Sequence, residues 1–131
     1  VLTITPEASI SNAHQMMKEH GVRRLPVVDH GRLVGIITIG DVREASPSDA
    51  TTLSIWELNY LWAQLTVDKV MTHHVTTIRS DQSIIDAAQI MLDQKISGLP
   101  VLDETGTLIG MLTESDVFML VRSRSSEIAN G

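Results

Sequence analysis

The chain has 131 residues, a formal net charge of −6, 43% hydrophobic residues and no cysteine. This length fits one compact domain or two small ones, and without cysteine there is no disulfide framework and no thiolate chemistry. No apolar run approaches the ~20 residues of a membrane span, no signal-like segment is evident, and the acidic balance disfavours nucleic-acid binding. We therefore expect a cytoplasmic protein.

Two segments of the chain read alike, Thr3–Val42 and Thr77–Val117. When Glu104 is treated as an insertion, about seventeen positions are identical, which marks an internal repeat. One repeat of roughly 40 residues is too short to bury a core of its own. We therefore expect the two copies to pack on each other with pseudo-two-fold symmetry.

Each repeat predicts the element order β-α-β-β-α. A short β-prone run, Val1–Ile4 or Val75–Ile78, is followed by a helix whose N-cap is Ser9 or Ser83. Two strands joined by a glycine-containing hairpin turn come next: Leu25–Val28 and Leu33–Thr38 in the first copy, Leu99–Leu102 and Leu108–Thr113 in the second. Gly21 and Gly98 lie near the ends of the first helices, although they do not align.

A second helix is expected to begin near Asp41 in the first repeat and near Asp116 in the second. The fold class is therefore α/β (α+β), built from two such repeats. We assign residues 1–45 to the first repeat, 46–66 to a linker that contains a helix, and 67–131 to the second repeat.

The linker region is turn-rich at first, and Ser54 and Glu57 then match a capping box at a helix start. An apolar stripe at helical spacing follows: Ile55, Leu58, Leu61, Trp62 and Leu65. Core packing is the preferred interpretation of this stripe. The alternatives are a helix that covers the junction of the repeats and an oligomer contact.

A threonine and an aspartate recur three residues apart at the end of both repeats, as Thr38 with Asp41 and Thr113 with Asp116. Core packing does not require a repeated polar pair, so the repeat predicts a duplicated site. A carboxylate can accept two hydrogen bonds, which suits a vicinal diol such as that of ribose, and a threonine hydroxyl can donate to a ribose or phosphate oxygen. From spacing alone, helix capping by the aspartate is the simpler alternative.

These pairs belong to a longer pattern that occurs in order in both copies. It reads Leu25-Pro26-Val27 then Gly35-Ile36-Ile37-Thr38-Ile39-Gly40-Asp41-Val42, and again Leu99-Pro100-Val101 then Gly110-Met111-Leu112-Thr113-Glu114-Ser115-Asp116-Val117. The pattern resembles the cystathionine-β-synthase (CBS) domain, and two in tandem resemble a Bateman module. The linker with Trp56-Glu57-Leu58-Asn59-Tyr60-Leu61 is similar to bacterial acetoin-utilisation-type CBS proteins.

The resemblance implies a regulatory module that binds an adenine nucleotide or adenosyl ligand, such as AMP, ADP, ATP, S-adenosylmethionine or NAD, in two clefts between the repeats. It implies no required cofactor, a homodimer, and a regulated partner protein or further fused domain. The chain enters its first repeat abruptly, so we expect a piece of a longer protein. The alternative is a structural or dimerisation module with non-functional sites.

Site residues follow from the same resemblance. The implied ribose and phosphate contacts are Thr38, Asp41, Thr113, Ser115, Asp116, Arg23 and Arg24. The implied base contacts are Leu2, Val22, Pro26, Thr76, Ile96, Ser97 and Pro100. By the resemblance, the cleft of Thr38 and Asp41 takes its base contacts from the second repeat. The cleft of Asp116 takes its contacts from the first repeat, including Arg23, and is therefore the better furnished for phosphate.

The two sites are not expected to be equivalent. Arg23 and Arg24 are the best phosphate candidates, since guanidinium groups bind phosphate bidentately; the alternative is a solvated basic pair. The second repeat has Ser97 and Gly98 there. In addition, only the second repeat has a lead-in, Val67–His74, which by the resemblance would wall the base pocket.

Catalysis and metal binding are not expected. The sequence contains no Gly-x-Ser-x-Gly, His-Glu-x-x-His or Walker-type motif. His73 and His74 are adjacent in an extended segment, so their side chains point in opposite directions, and no ligand spacing accompanies them.

Overall fold

The computed structural model describes residues 2–45, 54–120 and 122. The contacts divide the chain into two compact units, Leu2–Val75 and a unit that starts at Thr76. Val1, most of the predicted turn-rich linker (46–53) and the C-terminal residues 123–131 lie outside the described residues. Among the described helices, none is both long and apolar enough to cross a membrane.

Over its described residues, the first unit contains a β-hairpin and four helical segments. Its elements are α1 (Ile10–His20), β1 (Arg24–Asp29), β2 (Arg32–Thr38), α2 (Ile39–Glu44), α3 (Ile55–Gln64) and a 3-10 turn (Val67–Lys69). Strands β1 and β2 pair antiparallel, with a register shift between Val27 and Val28. The predicted opening strand is reduced to a parallel bridge between Ile4 and Val27.

The second unit repeats this arrangement. Its elements are β3 (Ile78–Arg79), α4 (Ile84–Gln94), β4 (Gly98–Leu102), β5 (Leu108–Thr113) and a last helix, α5, described over residues 114–120. The sheet order is β3-β4-β5, with β3 parallel and β5 antiparallel to β4. The predicted mixed fold of two β-α-β-β-α repeats is confirmed.

The first helix of each repeat begins where its serine cap predicts. The Ser9 hydroxyl accepts from the Asn12 N–H at 3.0 Å, and Ser83 forms a reciprocal capping box with Asp86. Both helices end in a left-handed residue, Gly21 (φ 63°) in α1 and Lys95 (φ 56°) in α4. Gly98 follows the end of α4 closely but is the first residue of the next strand, and Lys95 adopts the left-handed cap conformation that glycine usually supplies.

Each unit has its own apolar core. In the first, the buried residues are Ile4, Ile10, Ala13, Met17, Leu25, Val27, Ile37, Val42, Val67 and Met71. In the second, they are Ile78, Ala87, Met91 and Leu99. All four residues of the second set occupy the same repeat positions as members of the first, so the duplicated apolar pattern specifies a core in each unit.

The turn between β4 and β5 is organised by one carboxylate. Asp103 accepts from the Thr105 hydroxyl at 2.6 Å and from the N–H groups of Thr105 and Thr107 at 2.9 and 3.0 Å. These bonds, first of all the one from the Thr105 side chain, lower the pKa of Asp103 because they favour the charged form. The inserted residue Glu104 is accommodated inside this turn.

The segment before the second repeat packs with the first unit. Val67 is fully buried and Met71 is nearly so, both in the first core. Thr72 and Ile36 of β2 exchange two backbone hydrogen bonds at 3.0 and 2.8 Å. By its contacts, the segment 67–75 packs with the first unit, because these two apolar side chains are buried there. The repeat bounds assigned from the sequence stay a prediction.

This assignment has a measurable consequence. Replacing Val67 with alanine is expected to destabilise the first unit by about 2 kcal/mol, because the truncation leaves a cavity in its core. In native-state hydrogen exchange, the amides of α1, β1 and β2 should lose more protection than those of α4, β4 and β5. The opposite ranking would assign the segment to the second repeat.

Helix α3 is only partly incorporated into the first core. Ser54 caps it by accepting from the Glu57 N–H at 3.2 Å. Trp62 packs against the core, with its ring centroid 5.6 Å from that of His14. Ile55, however, is 72% exposed, and no residue of α3 is fully buried. The core-packing interpretation of the stripe therefore holds for its C-terminal half only.

Candidate functional site

The Thr-Asp pair of the first repeat lies at the junction of β2 and α2. Thr38 is the N-cap of α2, and its Oγ1 accepts from the Asp41 N–H at 3.1 Å. In return, Asp41 Oδ2 accepts from the Thr38 N–H at 2.9 Å. Both residues are half-buried. This reciprocal capping box fixes the orientation of the threonine hydroxyl and the aspartate carboxylate together.

The second repeat forms the same junction between β5 and α5. Asp116 Oδ2 accepts from the Thr113 N–H at 2.9 Å and from its hydroxyl at 3.0 Å, and the Asp116 N–H donates to Thr113 Oγ1 at 3.4 Å. Asp116 and the neighbouring Ser115 are exposed, and Thr113 is half-buried. The second pair is therefore the more accessible of the two.

Capping by the aspartate alone, the simpler alternative from spacing, does not describe the first junction. Threonine is the N-cap of α2, and the helix begins at Ile39, before Asp41. Ser83 and Asp86 form an equivalent box on α4. Capping accounts for the geometry of the pairs, and a role in ligand binding is a separate claim.

The residues before each hairpin lie beside the Thr-Asp junction of the same repeat. Arg24 is directly opposite Thr38 in the β1–β2 register, and the Arg23 carbonyl accepts from the Ile39 N–H at 2.8 Å. Arg23 is exposed and Arg24 is half-buried. The backbone of both arginines therefore lies beside the first junction, whereas the resemblance implied Arg23 for the cleft of the second pair; because successive side chains of a strand point to opposite faces, the two guanidinium groups do not share a side.

The second repeat forms the same backbone contacts but has no arginine at these positions. Gly98 lies opposite Thr113, and the Ser97 carbonyl accepts from the Glu114 N–H at 3.0 Å. Where the first repeat has two arginines, the second has a serine and a glycine, with an acidic residue at the start of its helix. Sequence reasoning noted the substitution but missed the adjacency, because each hairpin register shifts at an irregularity that the sequence does not reveal.

Of the seven predicted base contacts, one is exposed, four are half-buried and two are buried. Val22 is 37% exposed, whereas Leu2 is half-buried against the first core. Thr76, Ile96 and Ser97 are half-buried within the second unit. Their role in base recognition stays a prediction.

The two prolines of the motif are fully buried. The Pro26 carbonyl accepts from the Ile4 N–H at 3.0 Å, and Pro100 lies opposite Met111 in the β4–β5 register. Their side chains are packed in the interior of their own units. Their contact with a base stays a prediction.

No metal centre accompanies the junctions. Over residues 2–45, 54–120 and 122, no group of three or more histidine, aspartate or glutamate side chains is placed to hold a metal ion.

Comparison with known proteins identifies the family to which this chain is similar. The model of the CBS domain matches residues 1–48 and 67–123. The inosine-5'-monophosphate dehydrogenase of Korarchaeum cryptofilum (strain OPF8) is 36% identical over 118 residues, which cover 90% of this chain and 22% of the dehydrogenase. The chain thus spans about a fifth of the length of that relative.

Solved structures match over nearly the whole chain. The structure of CBSX2 in complex with AMP has a TM-score of 0.77 and 28% identity, covering 94% of this chain and 88% of CBSX2. The CBS domain pair of protein MJ0100, in complex with 5'-methylthioadenosine and S-adenosyl-L-methionine, has a TM-score of 0.75 and 30% identity, covering 95% of this chain and 91% of that one.

Proposed function

The chain belongs to the CBS domain family, of which it contains a tandem pair, and we propose that it is a regulatory module that senses an adenosine-containing ligand. The observation that carries the proposal is the duplicated Thr-Asp junction, held in one conformation in both repeats. Its family context supports it, because CBSX2 binds AMP and MJ0100 binds two adenosyl compounds. The role is regulatory and not catalytic.

In this proposal the aspartates hold the ribose. Asp41 Oδ2 is committed to the Thr38 N–H, and within the described residues its Oδ1 accepts no hydrogen bond. The same holds for Asp116, whose Oδ2 accepts both bonds from Thr113. Each carboxylate can therefore accept from a ribose hydroxyl without giving up its cap.

Arginine would add phosphate recognition at the first repeat only. Arg23 and Arg24 adjoin the first junction, and charge-assisted hydrogen bonds to phosphate contribute more than neutral ones. An adenosyl compound without phosphate gains nothing from them. We propose that the two repeats differ in their preference for phosphorylated ligands.

Calorimetric titration tests the sensing function directly. The chain would be titrated with AMP, ADP, ATP, NAD, S-adenosylmethionine and 5'-methylthioadenosine, and thermal unfolding would be followed with each. We expect at least one adenosyl compound to bind and to raise the unfolding midpoint, since a ligand that binds only the folded state stabilises it. No binding and no stabilisation at millimolar concentration would favour a structural module instead.

A paired substitution tests the phosphate role. Replacing Arg23 with serine and Arg24 with glycine gives the first repeat the residues of the second. We expect AMP to bind about tenfold more weakly, which corresponds to ~1.4 kcal/mol, and 5'-methylthioadenosine to bind unchanged. Equal losses for both compounds would show that the arginines act on the fold and not on phosphate.

A regulatory module must act on another domain or protein. The CBS pair makes up about a fifth of the dehydrogenase relative, and we propose that the present chain regulates a fused domain or a partner protein. A ligand can alter such a partner only by binding one conformation of the module more tightly than another. We further propose that the module acts as a homodimer, supported by its exposed apolar helices.

A further inference from the structure

Helix α3 presents an aromatic pair to the solvent. Trp56 and Tyr60 lie four residues apart, which places them on one side of the helix, and they are 82% and 65% exposed. Trp62 faces the first core instead. An open cavity of about 420 Å³ lies beside the pair and is lined by Trp56, Glu57, Tyr60 and Leu61. We call these four residues the α3 face.

Neither the core nor the family explains this face. The CBS-domain model matches residues 1–48 and 67–123, so α3, at Ile55–Gln64, lies outside the matched residues. No residue of α3 is fully buried, and the rings of Trp56 and Tyr60 are mostly in solvent. Exposed aromatic side chains that cluster on one surface mark interaction sites.

Glu57 adds a carboxylate to the same face. The Ser54 hydroxyl accepts from the Glu57 N–H at 3.2 Å, but among the described residues the Glu57 carboxylate has no hydrogen-bond or ion-pair partner, so the predicted capping box is only half formed. In the boxes of α2 and α4, by contrast, the carboxylates of Asp41 and Asp86 accept from the N–H of the cap residue. The Glu57 carboxylate therefore remains available to a partner.

From the α3 face we infer a docking site for an arginine side chain of the regulated protein. The faces of tryptophan and tyrosine rings attract cations, and a planar guanidinium group can stack on a ring while it donates to a carboxylate. In sequence, residues 44–68 contain four acidic residues and no lysine, arginine or histidine, so this stretch carries only negative charge. The start of a helix disfavours a cation, and Glu57, in the first turn, offsets this effect.

A second copy of the chain is a poorer occupant of the same face. A symmetric contact would set one Glu57 against the other and would bring no cation to the rings. An arginine-bearing segment supplies what both the rings and the carboxylate lack. The inference rests on the proposed regulatory role for its biological use, whereas the binding itself is measurable without an adenosyl ligand.

Nuclear magnetic resonance of the full chain tests the site with two matched peptides. One is an unstructured glycine–serine peptide that carries two arginines, and the other has neutral citrulline in their place. We expect the arginine peptide, added to millimolar concentration, to shift the indole N–H resonance of Trp56 and the backbone amides of α3. The citrulline peptide should leave these resonances in place. Added salt should weaken the binding, because the ion pair with Glu57 is exposed to solvent.

Three variants separate the components of the site. Trp56→Ser with Tyr60→Ser should weaken binding of the arginine peptide about tenfold, and Glu57→Gln about threefold, since exposed cation–π and ion-pair contacts are each modest. Glu57→Gln retains the helix cap, which uses the Glu57 N–H. Phe118→Ser, the matched control, removes an aromatic side chain that is 72% exposed on another helix and should leave binding unchanged. Circular dichroism of each variant verifies that it is folded.

Equal binding of the arginine and citrulline peptides would overturn the inference, because the rings would then act only as an apolar surface. It would also be overturned if neither peptide moved the resonances of α3. A Trp56 resonance that shifts with protein concentration alone would place a second copy on the face and would likewise overturn it. Failure of every adenosyl compound to bind would count against the proposed sensing function and would leave the peptide results unaffected.

Discussion

Replacing Gly35 with alanine is expected to lower the free energy of unfolding by about 2 kcal/mol. A Cβ at this position would lie 2.5 Å from Met71 Sδ and 2.9 Å from the backbone oxygen of Thr72. The methionine can rotate away, but the Thr72 carbonyl accepts from the Ile36 N–H at 3.0 Å and cannot move without breaking that bond. The alanine would therefore push the segment 67–75 off strand β2.

The duplication supplies the control for this experiment. Gly110 occupies the same position in the second repeat, and a Cβ there would meet no atom within 4 Å among the described residues. Gly110→Ala is expected to leave stability unchanged or to raise it by a few tenths of a kcal/mol, because alanine restricts the unfolded chain. Chemical denaturation of both variants measures the difference. Equal destabilisation would mean that strand glycine itself matters, and not the packing of the segment 67–75.

The elements that sequence predicted well are those specified by local chemistry. Ser9 and Ser83 mark helix starts because their hydroxyls satisfy N–H groups that the helix leaves unpaired. The hairpins follow from alternating apolar residues around a glycine turn. In each case the deciding partner lies within a few residues along the chain, so the pattern is visible without a structure.

The features that sequence did not predict depend on distant contacts. Val67 and Met71 are apolar residues in a short segment, and nothing local shows which core buries them; the bridge between Ile36 and Thr72 decides it. Lys95 likewise adopts the left-handed conformation at the helix C-terminus, a position that is usually occupied by glycine. Tertiary packing determines both the burial of this segment and the conformation of Lys95, and neither can be predicted from composition.

For the candidate site, sequence identified the residues but not their local roles. The Thr-Asp spacing was visible because it is duplicated, but spacing did not show that the threonine is the N-cap. The position of Arg24 opposite Thr38 depends on hairpin register, including the shift between Val27 and Val28. A single irregularity in the register changes which side chains become neighbours, so spacing alone could not establish it.

The aspartates of the two junctions are expected to have the largest effect on ligand binding. Asp41→Ala and Asp116→Ala each remove a carboxylate that would accept from ribose hydroxyls, a charge-assisted bond worth about 1.5–3 kcal/mol. For the ligand that binds at the altered repeat, the dissociation constant should rise by roughly 10- to 100-fold. Calorimetry of the single and double variants would measure it, and the double variant should lose binding at both repeats.

Capping complicates this result, because each alanine also removes a capping box at a cost of about 1 kcal/mol. Asp86 resolves the ambiguity. Its Oδ2 accepts from the Ser83 N–H at 3.3 Å and its own N–H donates to Ser83 Oγ at 3.1 Å, the same box on a helix with no proposed ligand contact. Asp86→Ala should therefore destabilise the chain by a similar amount while leaving the dissociation constant unchanged. If all three alanine variants weaken the ligand equally, binding depends on the stability of the helices, and the aspartates at the junctions do not hold the ribose.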